Sequence, residues 1–103
     1  MGRRQLLISN SVRRDIQQIE YYIIWEYSAL QSAQKFKIEL IQYLERIALH
    51  PEIYPLNNFQ QLRCYGFSDM RKAVFRRKWV ILFDFDNTYV IIRKIMHCAA
   101  IIS

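Results

Sequence analysis

The chain has 103 residues, 52% of them hydrophobic and 23% charged, with a formal charge of +6, which suits one domain around one apolar core and leaves no room for a second. Only two glycines are present, which excludes a glycine-rich phosphate loop and a nucleophile elbow. The two cysteines, Cys64 and Cys98, form neither a zinc-ligand pattern nor a disulfide framework, so two buried thiols in a reducing cytoplasm are expected, with no metal and no cofactor.

In chain order, Gln5 to Ser9 reads as a short strand. The apolar run Leu6-Leu7-Ile8 is too short for a signal core or a membrane span. Asn10 and Ser11 can cap a helix, because their side chains accept hydrogen bonds from its free amides. Val12, Ile16, Ile19, Ile23 and Tyr27 then recur at helical spacing, with Arg13, Arg14, Gln17, Gln18 and Glu20 on the other faces. Residues Ser28 to Ser32 offer a break. A second apolar stripe follows at Ala33, Phe36, Leu40, Tyr43, Leu44 and Ile47, and Pro51 predicts its end at His50 by disfavouring helical geometry in the preceding residue. Two antiparallel helices joined by a tight turn are expected.

Pro51 to Asp69 is punctuated by Pro55, Asn57, Asn58 and Gly66 and reads as a long loop, with a short strand or turn at Leu62 to Tyr65. Three strands follow, near Arg71 to Phe75, Trp79 to Phe85 and Tyr89 to Met96, with connections short enough for antiparallel hairpins. Asp86-Asn87 suits a tight turn. The continuous apolar run Trp79 to Phe83 predicts a central strand covered on both faces. The fold class is therefore α+β: a helical hairpin packed on a small antiparallel sheet.

Charge is divided unevenly along this order. Residues 1 to 59 hold seven Lys/Arg against six Asp/Glu, and residues 60 to 103 hold eight against three. A basic strand region suits phosphate backbones or an acidic protein partner.

Several segments, taken together, resemble the RelE/ParE superfamily of toxins from bacterial type II toxin–antitoxin modules. They are Ser11 to Ile23 with Asp15, Ala33 with Phe36, Leu49 to Pro55, the basic strand opening at Arg71-Lys72-Ala73-Val74, Ile81 to Phe83, and Ile92 to His97. The ParE branch, often described as plasmid stabilisation proteins, looks closer than the RelE branch. The resemblance covers nearly the whole chain and implies the order β-α-α-β-β-β, a cognate antitoxin in a toxin–antitoxin hetero-oligomer, and one of two targets. ParE-type toxins act on DNA gyrase, whereas RelE-type toxins cut messenger RNA on the ribosome. Toxins of this kind carry further Arg or polar residues after the position matching His97, and RelE-type nucleases often end with a functional Tyr. This chain has Cys98-Ala99-Ala100-Ile101-Ile102-Ser103 there, which favours an inhibitor over an enzyme and leaves a degenerate member that only binds antitoxin as a third reading.

Candidate target-binding residues are Arg71, Lys72, Arg76, Arg77, Lys78, Arg93 and Lys94. The plain alternative is a solvated turn and sheet rim that discourages edge pairing. Arg76 to Lys78 are expected at a hairpin turn. Arg93 and Lys94, as strand neighbours, are expected on opposite faces, with Lys94 outward. A ribonuclease would draw on Arg71, Lys72, Arg77, Lys94 and His97, to move protons and stabilise a pentacovalent phosphate. His97 has no partner carboxylate or tyrosine close in sequence and equally suits a plain hydrogen bond at the sheet edge. His50 suits the negative end of the second helix. Tyr21, Tyr22, Trp25 and Tyr27 exceed what one core stripe uses. Tyr21, Tyr22 and Trp25 are the candidate antitoxin-binding patch, with ordinary packing as the alternative.

Overall fold

The computed structural model describes residues 4–57 and 69–99. Cys64 and the strand or turn expected at Leu62 to Tyr65 lie outside the described residues. Within them the chain runs through β1 (Gln5–Ile8), α1 (Asn10–Tyr27), α2 (Leu30–Leu49), a single 3-10 turn at Pro51–Ile53, β2 (Arg71–Phe75), β3 (Trp79–Phe85) and β4 (Tyr89–His97). The expected order of elements is present.

Helix α1 starts one residue earlier than its sequence signal. Ser9, and not Asn10 or Ser11, is the cap: its Oγ accepts from the Val12 amide at 3.2 Å while Asn10 already lies in the helix. The helix ends at Ser28, which takes a left-handed conformation (φ 50°), and only Ser28 and Ala29 separate it from α2. The periodic residues Val12, Ile16, Ile19 and Ile23 are buried against Ala33, Phe36, Leu40, Leu44 and Ile47. The Tyr27 side chain lies outside the described residues. Each fully buried aliphatic side chain contributes about 1.5–3 kcal/mol through removal of apolar surface from water, and this layer is the main stabiliser of the helical hairpin.

The sheet order is β1-β4-β3-β2. Strands β2, β3 and β4 are antiparallel as expected, and β1 adds to β4 in parallel, pairing Gln5 to Ile8 with Tyr89 to Ile92. Strand β3 is covered on both faces. Ile81 and Phe83 belong to the helix-facing core, whereas Val80 and Leu82 form a second buried cluster with Met70, Met96 and Cys98 packed on it. Cys98 is half-buried, and thus less enclosed than the buried thiol expected from sequence.

The register of β3 on β4 slips once. Leu82 stands opposite Lys94 but Phe83 opposite Ile92, so Arg93 is an extra residue in a β-bulge. The bulge overturns the expectation that Arg93 and Lys94 face opposite ways. Lys94 shares a face with Leu82, and Arg93 reaches Asp84, two residues further along β3 on that same face.

Strand edges are closed by neighbouring groups. The start of β2 is covered by the chain at Pro55 to Asn57, with Lys72 N donating to Pro55 O at 2.9 Å and Asn57 N to Met70 O at 2.7 Å. Tyr43 Oη donates to Val74 O at 3.1 Å. Beyond Ile92, where β1 stops, Asp15 of α1 takes over: its Oδ2 accepts from Ile95 N at 3.3 Å and its Oδ1 from Lys94 Nζ at 3.0 Å.

Candidate functional site

The end of the sheet where β3 begins and β4 finishes carries a concave surface. Register sets Trp79 opposite His97, and their rings meet edge to face with centroids 5.0 Å apart. From above, α2 brings Phe36, whose ring packs edge-on against Phe75 and Trp79. From the side, α1 brings Tyr22. Two adjoining clefts result. One, of about 300 Å³, is lined by Tyr22, Ile23, Phe36, Arg76, Lys78, Trp79 and His97. The other, of about 270 Å³, shares Tyr22, Trp79 and His97 and adds Asp15, Lys94 and Met96 among others.

The connection between β2 and β3 forms the rim of the first cleft. Phe75 O accepts from Lys78 N at 3.2 Å, and the two residues between them, Arg76 and Arg77, have φ of 53° and 62°. Both central positions are thus left-handed, the geometry of the hairpin turn that Asn-Gly adopts most readily. A residue with a Cβ pays about 1–2 kcal/mol to sit there. Arg76 offsets part of that cost: its guanidinium lies 5.3 Å from the ring centroids of both Phe36 and Phe75 and pairs with Glu39 of α2. Arg77 and Lys78 are exposed, and neither side chain has a partner among the described residues.

The other cations fare differently. Arg71 is tied down: its Nη1 donates to Tyr54 O at 2.5 Å and Glu52 O at 3.4 Å, and its guanidinium lies over Phe85. It braces the turn after α2 at the far end of β2, roughly 15 Å along the strand from the Arg76–Lys78 turn. Lys72 stands opposite Leu82 on the face away from the helices. Arg93 forms a forked pair with Asp84 at 3.0 and 3.2 Å. Lys94, whose side chain is one-third exposed, is held by Asp15 at the mouth of the second cleft. The seven basic candidates therefore divide. Arg76, Lys78 and Lys94 meet at the clefts with Arg77 beside them, while Arg71, Lys72 and Arg93 do not join them.

His97 lies in both clefts. Its Nδ1 accepts from Ala99 N at 3.0 Å, so in the neutral ring the proton sits on Nε2, leaving that nitrogen as the donor toward a ligand. The carboxylate that shares the second cleft with it, Asp15, is engaged with Lys94 and the Ile95 amide. The cations and ring faces gathered here are of the chemistry that suits anions and planar or apolar groups.

Beside the clefts, α1 exposes Tyr21, Tyr22 and Trp25, the last at 84%. Tyr22 belongs both to this patch and to the cleft lining, so the aromatic and basic surfaces are continuous. Sequence reasoning missed three residues that shape the site: Asp15 as the carboxylate closing the β4 edge, Glu39 as the anchor of Arg76, and Trp79 as the cleft wall. Asp15 carried a signal, being an acid set among Val12, Ile16 and Ile19 on an otherwise apolar face.

Comparison with known proteins places this architecture. A family model described as the ParE toxin of the type II toxin–antitoxin system, parDE, matches residues 6–101. Among curated proteins none matches the sequence.

Proposed function

The chain belongs to the ParE family of toxins of type II toxin–antitoxin systems, and on that premise we propose that it arrests growth by binding and inhibiting DNA gyrase, without covalent chemistry of its own. The contact surface is the clefted end of the sheet, with Arg77, Lys78 and Lys94 as cations and Trp79 and Tyr22 as ring faces. A cognate antitoxin, the partner that family membership implies, covers the Tyr21, Tyr22 and Trp25 surface and, through Tyr22, the mouth of the clefts. Neutralisation is then direct obstruction of the target-binding surface.

One observation favours inhibition over RNA cleavage: the residues a nuclease would need are dispersed. Of Arg71, Lys72, Arg77, Lys94 and His97, only Lys94 and His97 line a common cleft, and Arg71 is spent on the carbonyls of Glu52 and Tyr54. Phosphoryl transfer needs acid, base and charge-stabilising groups converging within hydrogen-bond reach of one phosphate. The separation along β2 places Arg71 well outside that reach.

Two measurements on the induced and the purified protein test this reading. Added to gyrase in a supercoiling assay, the purified protein should block the reaction, and its induction in cells should lead to DNA damage with transcripts intact. Primer extension on messenger RNA from induced cells should show no new ends. Codon-phased cuts that disappear in His97→Gln would overturn the inhibitor reading in favour of a ribosome-dependent nuclease. His97→Gln is otherwise expected to keep most of the growth arrest, since no proton transfer is asked of the imidazole.

A further inference from the structure

The turn between β2 and β3 is built against local preference. Two consecutive arginines occupy left-handed positions, φ 53° and 62°, at which Asn-Gly would relax the backbone. Backbone strain of this kind persists where surrounding structure over-determines it, and it collects at functional positions. The surroundings here are explicit. Arg76 is clamped between Phe36 and Phe75 and paired with Glu39 of α2, which fixes the turn to the helical layer. With the Arg76 side chain tied to the helical layer, Arg77 at the turn's apex is left exposed, its side chain without a partner among the described residues, beside the cleft that Lys78 lines.

We propose that the strained turn is a display device: Arg76 is a positioning residue, and Arg77 is the contact that its clamp presents to a carboxylate on the target protein. This deepens the inhibitor reading above and rests on it for the identity of the target. The planar guanidinium fork matches a carboxylate in two parallel hydrogen bonds, which an ammonium cannot reproduce. A protein carboxylate fits better than a nucleic-acid backbone because of how the neighbouring cations are used. Arg71, Arg76, Arg93 and Lys94 are each engaged within the protein, whereas tracking a nucleic-acid strand requires a row of cations free to meet successive phosphates.

Strain and function make opposite demands on one residue, and that gives the test. Wild type, Arg77→Gly and Arg77→Lys are compared by thermal melting, by growth arrest on induction, and by binding to purified gyrase in the absence of DNA. Arg77→Gly should raise Tm by several degrees, because glycine takes the left-handed conformation freely, and should weaken growth arrest and gyrase binding at least tenfold. Arg77→Lys should leave Tm near wild type and recover only part of the binding. A stabilised Arg77→Gly with undiminished growth arrest would overturn the proposal, as would a lowered Tm. Loss of binding to a short single-stranded RNA in Arg77→Gly, with gyrase binding unchanged, would overturn the carboxylate partner. Should the wild type arrest growth while leaving supercoiling untouched, the gyrase reading fails by itself, and the opposed effects of Arg77→Gly on Tm and arrest still decide the role of the turn.

Discussion

The two ends of the sheet solve the same problem, reversing the chain between antiparallel strands, in opposite ways. At one end Asp86 does the work locally. Its Oδ1 accepts from both Thr88 N and Tyr89 N at 2.7 Å, its own amide donates to Tyr89 O at 2.9 Å, and its side chain replaces backbone partners in the manner of an Asx turn. Strand β1 then adds to β4 beside it. At the other end, Arg76 and Arg77 occupy positions that their backbones disfavour, and the turn is held by Phe36 and Glu39 from α2. There too, β4 has lost β1 and relies on Asp15 from α1. The first end is self-sufficient as far as the helices go, its long-range ties coming from the β1 segment, where Arg4 Nε donates to Asp86 O at 2.7 Å and Gln5 N to Thr88 O at 2.8 Å; the second depends on the helices. The two adjoining clefts, Arg77 and Lys78, and the exposed rings of α1 lie at the dependent end, which ties the candidate site to the packing of the helical hairpin.

The largest test of that contrast is Phe36→Ala. Phe36 is buried, packs against Phe75 and Trp79, and lies under the Arg76 guanidinium. Truncating a buried phenylalanine costs about 3–5 kcal/mol, a large share of a small domain's stability. Thermal melting should show a fall of many degrees, and hydrogen exchange should rise at Arg76 to Lys78 before it rises at Asp86 to Tyr89. Equal exposure of both turns would remove the distinction between the two ends. Leu40→Ala, in the same layer but outside the set of side chains that holds Arg76, should cost about 2–5 kcal/mol without this preference for one end.

Next in size is Asp15→Ala, which strips the half-buried acceptor from the Ile95 amide and the partner from Lys94. Leaving a largely enclosed amide without an acceptor costs about 1–3 kcal/mol. Asp15→Asn keeps an oxygen for the amide but no charge for Lys94, so it should recover most of the stability and not the ion pair. If Ala and Asn variants melt alike, Asp15 is not the support of that edge.

These dependencies explain what the sequence reveals and what it conceals. The helical stripes are legible because burial repeats with the period of the helix: Ile16, Ile19, Ile23, Phe36, Leu40 and Ile47 were expected in the core and are all buried. The continuous run Trp79 to Phe83 shows a central strand because both of its faces are covered. The turn at Asp86 is legible because its chemistry is local. The bulge at Arg93 is not, since it follows from pairing with β3 and from α1 closing the edge, neither of which leaves a periodic mark. Arg71 reads in sequence like any other strand cation, yet three-dimensional contact with Glu52, Tyr54 and Phe85 gives it a bracing role. The Arg76–Lys78 turn is half legible: its location follows from the strands on either side, but its left-handed backbone follows from partners on α2.

Tyr43→Phe should have a smaller effect. It removes the hydrogen bond from the phenol to Val74 O beside the dependent turn, a loss of about 1 kcal/mol or less for a partly exposed bond. Partial burial, then the neighbouring Tyr54, raise the Tyr43 phenol above its ordinary value of 10.0. The phenol's contribution to stability is therefore fully present below 10.0 and is lost as pH rises through the raised value. Melting at increasing alkaline pH should show wild type losing more stability than Tyr43→Phe; parallel curves would mean that the phenol is not held.

The smallest effect belongs to the self-sufficient end and has the opposite pH dependence. The Asp86 carboxyl is pulled below its ordinary value of 3.8, first by the hydrogen bond from the Tyr89 amide and then by that from Thr88. A carboxylate whose value is lowered on folding contributes stability that is complete above the unfolded value and disappears as pH falls through the folded one. Asp86→Asn retains an oxygen that accepts the same amides without the charge. At neutral pH, wild type should melt slightly above Asp86→Asn, and the gap should close as pH drops below 3.8. Salt should reduce the gap little, because the two amides in direct contact contribute most and the Arg4 charge least. A gap that persists unchanged into acid would mean that charge plays no part in the turn and would leave geometry alone to explain why this end of the sheet stands without help from the helices.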